Sequence, residues 1–216
     1  MTNAAAAEMV ERQLIARGIR DPRVLQAMRE IPREEFVAED VREEAYADAP
    51  LPIGFGQTIT QPYMTALMAE ALELRGDENV LDVGTGSGYH AAVLGALARR
   101  VISVERIPEL CALARSNLRR TGLDSNITVL CGDGSLGVPE QAPFQGISVA
   151  AAAPSVPRAL LDQLDDPGIL VIPVGGRADQ DLQVIRKKNG KISTRVVLGC
   201  RFVPLIGREG WQEIDE

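Results

Sequence analysis

Val80-Leu81-Asp82-Val83-Gly84-Thr85-Gly86-Ser87-Gly88-Tyr89 decides the reading of this chain. A short apolar run empties into three glycines spaced two apart, and a helical pattern follows. That order predicts strand, tight turn, helix. Glycines at such a turn let backbone come close to a ligand, because no Cβ blocks the approach. The next apolar run, Val101-Ile102-Ser103-Val104-Glu105, ends in a carboxylate. In nucleotide-binding α/β folds a carboxylate at the end of the second strand accepts hydrogen bonds from ribose hydroxyls. The two features together imply an adenosine-containing cofactor. A dinucleotide fingerprint would read G-x-G-x-x-G and seat a pyrophosphate. Here the pattern is D-x-G-x-G-x-G, with Asp82 inside it. A carboxylate there would repel a pyrophosphate and attract a sulfonium or an α-ammonium. The local chemistry therefore favours S-adenosylmethionine over NAD. A glycine turn without a ligand is the bland alternative.

Outward from this loop the chain alternates. Strands are predicted over 79–84, 101–105, 127–131, 146–150 and 168–172, with helices over 88–98, 108–121 and 156–164 between them. Apolar strands separated by helices predict a parallel sheet covered on both faces. Two further strands, near 181–187 and 192–200, are joined by Lys188-Asn189-Gly190-Lys191, which has hairpin chemistry. Upstream, 4–17 reads as a helix closed by Gly18. Asp21-Pro22 supplies an N-cap and a first-turn proline for a second helix. Residues 33–47 read as a short helix with loops, 48–61 as irregular, and Pro62 to Leu74 as an amphipathic helix.

The composition narrows the function. The chain has 216 residues, 45% hydrophobic and 25% charged, which suits a single soluble globular domain. A net charge of −7 argues against non-specific nucleic-acid binding, which needs a positive field. No apolar run has membrane-spanning length. The N-terminal Met1-Thr2-Asn3 stretch lacks the pattern of a secretory leader. Cys111, Cys131 and Cys200 are odd in number and unpatterned, so no disulfide framework or zinc site is expected, and Cys131 reads as a buried strand residue. A cytoplasmic, monomeric protein is expected. The single histidine, His90, reads as a packing or surface residue. No Cys–His or Ser–His–Asp set is evident, so the chemistry should need no activated nucleophile.

Several motifs together resemble the protein-L-isoaspartate O-methyltransferases. They are Gly56-Gln57-Thr58-Ile59-Thr60-Gln61-Pro62-Tyr63, the glycine loop, Gly132-Asp133-Gly134 with Ala142-Pro143-Phe144, Ala151-Ala152-Ala153-Pro154, Leu170-Val171-Ile172-Pro173-Val174-Gly175, and Phe202-Val203-Pro204-Leu205 with Gly210-Trp211. They stand in family order over residues 8 to 211. The resemblance implies a Rossmann-like S-adenosylmethionine-dependent methyltransferase fold: a mainly parallel seven-stranded sheet, with an N-terminal helical cap and lip over 1–61 and an α/β core over 62–216. It implies methyl transfer to the free carboxylate of L-isoaspartyl residues in damaged proteins, the ester then collapsing to a succinimide. Carried over by position, Gly84, Thr85, Gly86, Ser87, Gly88 and Tyr89 wrap the methionine part, and Asp82, Gln57, Ile59 and Tyr63 are further cofactor-binding residues. Glu105 binds the ribose, and Asp133 and Gly134 meet the adenine. Thr58 and Thr60 orient the reacting carboxylate, and Ile59, Ala152, Ala153 and Pro154 face the substrate.

The chain departs from the family pattern at Thr60 (usually Ser), Val138, Gln145 and Asp165-Asp166-Pro167-Gly168, positions read as lying near the cofactor loop and the start of the fourth strand. These departures keep alternatives open: a relative that methylates Asp in one particular peptide, or a silent S-adenosylmethionine-binding module. A carboxylate is already ionised at neutral pH and can attack a methyl sulfonium without a base. Neutral hydroxyls suit that step better than an arginine clamp, which would stabilise the ground state.

Overall fold

The computed structural model describes residues 3–213. The reading of Met1 and Thr2 lies outside them. Helix α1 (Ala4–Met9) starts at Asn3, whose side chain accepts from the Ala5 amide at 3.0 Å. The chain keeps winding to Arg17, first as a wider π turn and then as a 3-10 turn, and stops at Gly18 with φ 100°. Helix α2 (Pro22–Glu30) has the expected cap: the Asp21 carboxylate accepts from the amides of Arg23 and Val24. Two 3-10 turns fill 33–44.

The segment read as irregular holds a small antiparallel hairpin, β1 (Leu51–Gly54) and β2 (Gln57–Ile59). Its turn runs through Gly54, Phe55 and Gly56, all at positive φ. Prolines at 50 and 52 and the short strand lengths hide it from pattern reading. Helix α3 (Pro62–Ala71) follows.

The main sheet has strands β3 (Asn79–Val83), β4 (Arg100–Glu105), β5 (Ile127–Cys131), β6 (Phe144–Val149), β7 (Leu164–Gly175), β8 (Gln180–Lys188) and β9 (Lys191–Cys200). Helices α4 (Tyr89–Leu97), α5 (Pro108–Thr121) and α6 (Arg158–Gln163) connect them. The order is β5-β4-β3-β6-β7-β8-β9, parallel through β7 and antiparallel at β8 and β9. The closing hairpin turns on Asn189 and Gly190, both at positive φ, as its sequence demands. Strand order reverses between β3 and β6. In open α/β sheets that switch point is where a crevice forms beyond the strand C-termini.

Each face carries its own core. Met9, Leu14, Met28, Phe36, Met68, Tyr89 and Leu94 pack on one side, and Leu81, Ile102, Phe144, Ile147, Leu160 and Leu170 on the other. The helical N-terminus is thus packed into the first core.

Cys111 and Cys131 correct the cysteine reading. They form a disulfide pair with Cα atoms 6.0 Å apart, because α5 packs back along β5. Cys131 lies at the exposed end of an edge strand, outside the core. Cys200 is free and half-buried, and burial first pushes its thiol up to about 11.

Candidate active site

The crevice at the switch point is a cavity of about 820 Å³. Gly84 and Ala150, the first residues past β3 and β6, face each other across its base. A Cβ on Gly84 would sit 3.6 Å from the Ala150 carbonyl carbon. Gly84, Gly86 and Gly88 all adopt φ between 55° and 99°. Side chains are disfavoured there, so the glycines are required by backbone shape as well as by closeness. Above Gly86 lies the hairpin: a Cβ on Gly86 would come within 3.0 Å of Ile53 Cδ1.

Glu105 is buried at the cavity edge. Its Oε2 accepts from the Gly86 amide at 2.9 Å and its Oε1 from the Ile107 amide at 3.0 Å. The carboxylate therefore fixes the glycine loop against the end of β4. A carboxylate offers about four acceptor positions, so both oxygens keep capacity for a diol.

Asp82 is placed differently from expectation. It has no exposed surface and lies beneath the loop, away from the cavity wall. Ser103 Oγ donates to its Oδ2 at 2.6 Å, and Ser103 lies 2.5 Å from Thr85 Oγ1. Asp82 thus supports the turn through two hydroxyls. Burial pushes its pKa up to about 7, opposed by the Ser103 bond and reinforced by the charge of Glu105. It does not supply the fixed negative charge beside a sulfonium that its position in the motif suggested.

Sheet register explains this row. Asp82 sits beside Ser103 on β4 and Ser148 on β6. His90 joins it, with Nε2 2.9 Å from Ser148 Oγ. Burial depresses the imidazole to about 4, which keeps it neutral. Its Nδ1, Ser87 Oγ and Thr65 Oγ1 are buried without a partner among the described residues, and all three residues line the cavity. Unpaired buried polar groups are costly unless something polar meets them. The opposite part of the cavity is apolar, walled by Ile107, Val203, Leu205 and Ile206. A polar floor, a free carboxylate edge and an apolar slot fit the amino-acid end, the ribose and the adenine of S-adenosylmethionine.

Of the expected residues, Gln57, Thr58, Ile59, Thr60, Gly84, Thr85, Gly86, Ser87, Tyr89, Glu105 and Gly134 line this cavity. Gly88 lies behind it against Ala114. Tyr63 borders an adjoining groove instead. Asp133 is turned toward the C-terminal segment, accepting from Ser135 and from the Arg208 amide at 2.7 Å. Ala152 and Ala153 are buried and covered: the Ala152 amide donates to the Val203 carbonyl, and Ala153 bridges to Val174. The segment 203–205 covers Ala152 and the end of β7 covers Ala153, and neither they nor the exposed Pro154 line the cavity. Ala150 and Ala151 take that place. Of the family departures, Thr60 lines the cavity and Gln145 lies at the start of β6, as read. Val138 is in the second core, and Gln145 ties the Asn79 amide to Asp165 at the far end of the sheet.

A glycine loop, a carboxylate closing the second strand and a cavity at the switch point of a mainly parallel seven-stranded sheet define a Rossmann-like S-adenosylmethionine-dependent methyltransferase. The model of the protein-L-isoaspartate(D-aspartate) O-methyltransferase family matches residues 4–210. A protein-L-isoaspartate O-methyltransferase 2 of Marinobacter nauticus is 58% identical over 205 residues, 94% of this chain and 93% of its own length. One from Methanopyrus kandleri is 53% identical over 97% of this chain and 94% of its length. A solved protein-L-isoaspartate O-methyltransferase matches with a TM-score of 0.85 at 30% identity, over 95% of this chain and 67% of its own. The Plasmodium falciparum β-aspartate methyltransferase, solved with S-adenosyl-L-homocysteine, matches with a TM-score of 0.78 at 28% identity, over 94% and 99%. This chain belongs to the protein-L-isoaspartate(D-aspartate) O-methyltransferase family.

Proposed function

We propose that the chain methylates the free carboxylate of L-isoaspartyl residues in proteins and peptides, with Thr60 and Thr58 aligning that carboxylate. The observation that carries the roles is the lip itself: Thr58 and Thr60 line the wall that the cofactor cavity shares with a second, open groove. Glu105, the loop from Gly84 to Tyr89, and the unpaired atoms of Ser87, His90 and Thr65 would hold S-adenosylmethionine. Bound there, it supplies an electrophilic methyl on a positive sulfur.

The protein's own task is alignment. The nucleophile is ionised without help, so no base has to move a proton. The lip hydroxyls donate to the carboxylate and set its line of approach. The hairpin and the 203–206 segment keep water off the reacting atoms. The methyl ester leaves the enzyme and closes to a succinimide, which partly reopens as normal aspartate.

Thr60 carries the test. Ser keeps the donor, and Val keeps the shape without it. Thr60→Ser should retain most turnover, and Thr60→Val should lose about 10- to 100-fold in kcat, the scale of a small misalignment. Wild-type kcat in Thr60→Val would leave the residue with only its place before α3.

A further inference from the structure

The lip has a second side. Beyond Thr58 and Thr60 lies a groove of about 1500 Å³, continuous with the cofactor cavity through those two residues and Ala150, Val203 and Pro204. Its lining holds three arginines, Arg17, Arg177 and Arg201, and no aspartate or glutamate. The chain as a whole has 30 acidic residues against 23 basic ones, so this surface runs against the average. Arg17 is spoken for: it pairs with Asp48 at 3.1 Å and lies 3.5 Å over the Tyr63 ring. Arg177 and Arg201 have no carboxylate partner among the described residues. Arg177 lies 4.8 Å over the Trp211 ring and donates to the Gln212 carbonyl at 3.3 Å, which leaves a steered but uncompensated charge. Arg201 is exposed, and Asp179 and Asp181 line a neighbouring depression with it.

We propose that this groove is a subsite for the residues flanking the reacting carboxylate, and that Arg177 and Arg201 make it favour acidic neighbours. The proposal rests on the isoaspartyl reading above. A peptide with its reacting carboxylate at the threonine lip must run its adjoining residues along the groove, because the other side of the lip is the cofactor cavity. There its side chains meet two cations, Arg177 held by the Trp211 ring and the Gln212 carbonyl, and the exposed Arg201. An acidic neighbour pairs with them, and a basic one is repelled. The arginines do not clamp the reacting carboxylate. They act on its neighbours, where ground-state binding does no harm to the transfer step.

The test uses isoaspartyl peptides with Glu, Gln or Lys at the two positions on either side. The wild-type chain should methylate the Glu peptide with kcat/KM roughly 3- to 10-fold above the Gln peptide, the scale of one or two exposed ion pairs. The Lys peptide should fall below the Gln peptide, and the spread should narrow with added salt. The difference should sit in KM. Arg177→Gln with Arg201→Gln should collapse the spread, Arg201→Lys should keep it, and Arg177→Glu with Arg201→Glu should invert it. Anisotropy of labelled peptides on the S-adenosylhomocysteine-loaded chain reads the same ranking without turnover. Equal binding of Glu, Gln and Lys peptides overturns the subsite, as does a spread that survives in the double variant. Ranked binding without methyl transfer to any isoaspartyl peptide would keep the subsite and remove the isoaspartyl reading.

Discussion

Asp82 has a carboxyl that folding keeps from ionising at its ordinary pH. In an unfolded chain it would titrate near pH 4. In the fold it titrates near 7. Between those values the native state holds a proton that the unfolded chain has released. Stability from this group is therefore full below about pH 4 and lost as pH rises through about 7. Asp82→Asn cannot ionise. The stability of the wild type relative to this variant should fall between about pH 4.5 and about pH 8, read from denaturant midpoints. His90 works the other way, stabilising the fold as pH rises from about 4 toward 6.5, but it is present in both proteins and cancels. A constant gap would contradict the buried, proton-holding Asp82. Part of this row was legible. Val80-Leu81-Asp82-Val83, Val101-Ile102-Ser103-Val104 and Gly146-Ile147-Ser148-Val149 each place one polar residue at the same strand position. Lining them up requires the register of three parallel strands, which one strand read alone does not reveal. The opposite error, Ala152 and Ala153 as substrate contacts, has a similar cause: Ala152 is covered by residues 203–205 and Ala153 by the end of β7, neither adjacent in sequence.

At the scale of elements, the lip is held by a buried cation. Arg33 has no exposed surface and, among the described residues, no carboxylate partner. Its Nε donates to the Ala45 carbonyl at 2.7 Å and an Nη to the Thr60 carbonyl at 2.8 Å, and it lies 4.8 Å from the Tyr89 ring centre. Burial lowers its pKa to about 10, so it stays charged at neutral pH. One side chain thus joins the 3-10 segment, the lip and the first residue of α4. A buried ionic group is weak evidence for stability, since an apolar replacement is often neutral. Its value here is placement of Thr60. Arg33→Met should lower kcat about 10-fold or more. It should do so far less in a Thr60→Val background, because the residue it positions is gone. Additive losses in the double variant would reduce Arg33 to packing. Helices and sheet strands were legible because their periodicity is local, down to the Asp21 cap and the Asn189-Gly190 turn. The β1–β2 hairpin was not, being two short, proline-marked strands with few residues to establish a period.

For the whole molecule, topology places the chemistry. Parallel strands bring Gly84, Glu105 and Ala150 to one edge, and the reversal of strand order between β3 and β6 opens the crevice there. No helix among the described residues is long and apolar enough to cross a membrane. What the fold adds to the motif is a wall of threonines shared by two hollows, which the proposal assigns to the cofactor and to a peptide. Such a wall discriminates by position. Normal aspartate carries its carboxylate on a chain one methylene longer than the α-carboxylate left free in isoaspartate, which moves it by more than about 1 Å, and misplacement of that size can cost about 100-fold. The most direct measurement is initial-rate transfer of a labelled methyl from S-adenosylmethionine to paired peptides that differ only in Asp or isoAsp at one position. The account predicts that isoAsp peptides are methylated at least roughly 100-fold faster, across unrelated sequences. Equal rates on both, or transfer confined to Asp in a single peptide, would contradict it.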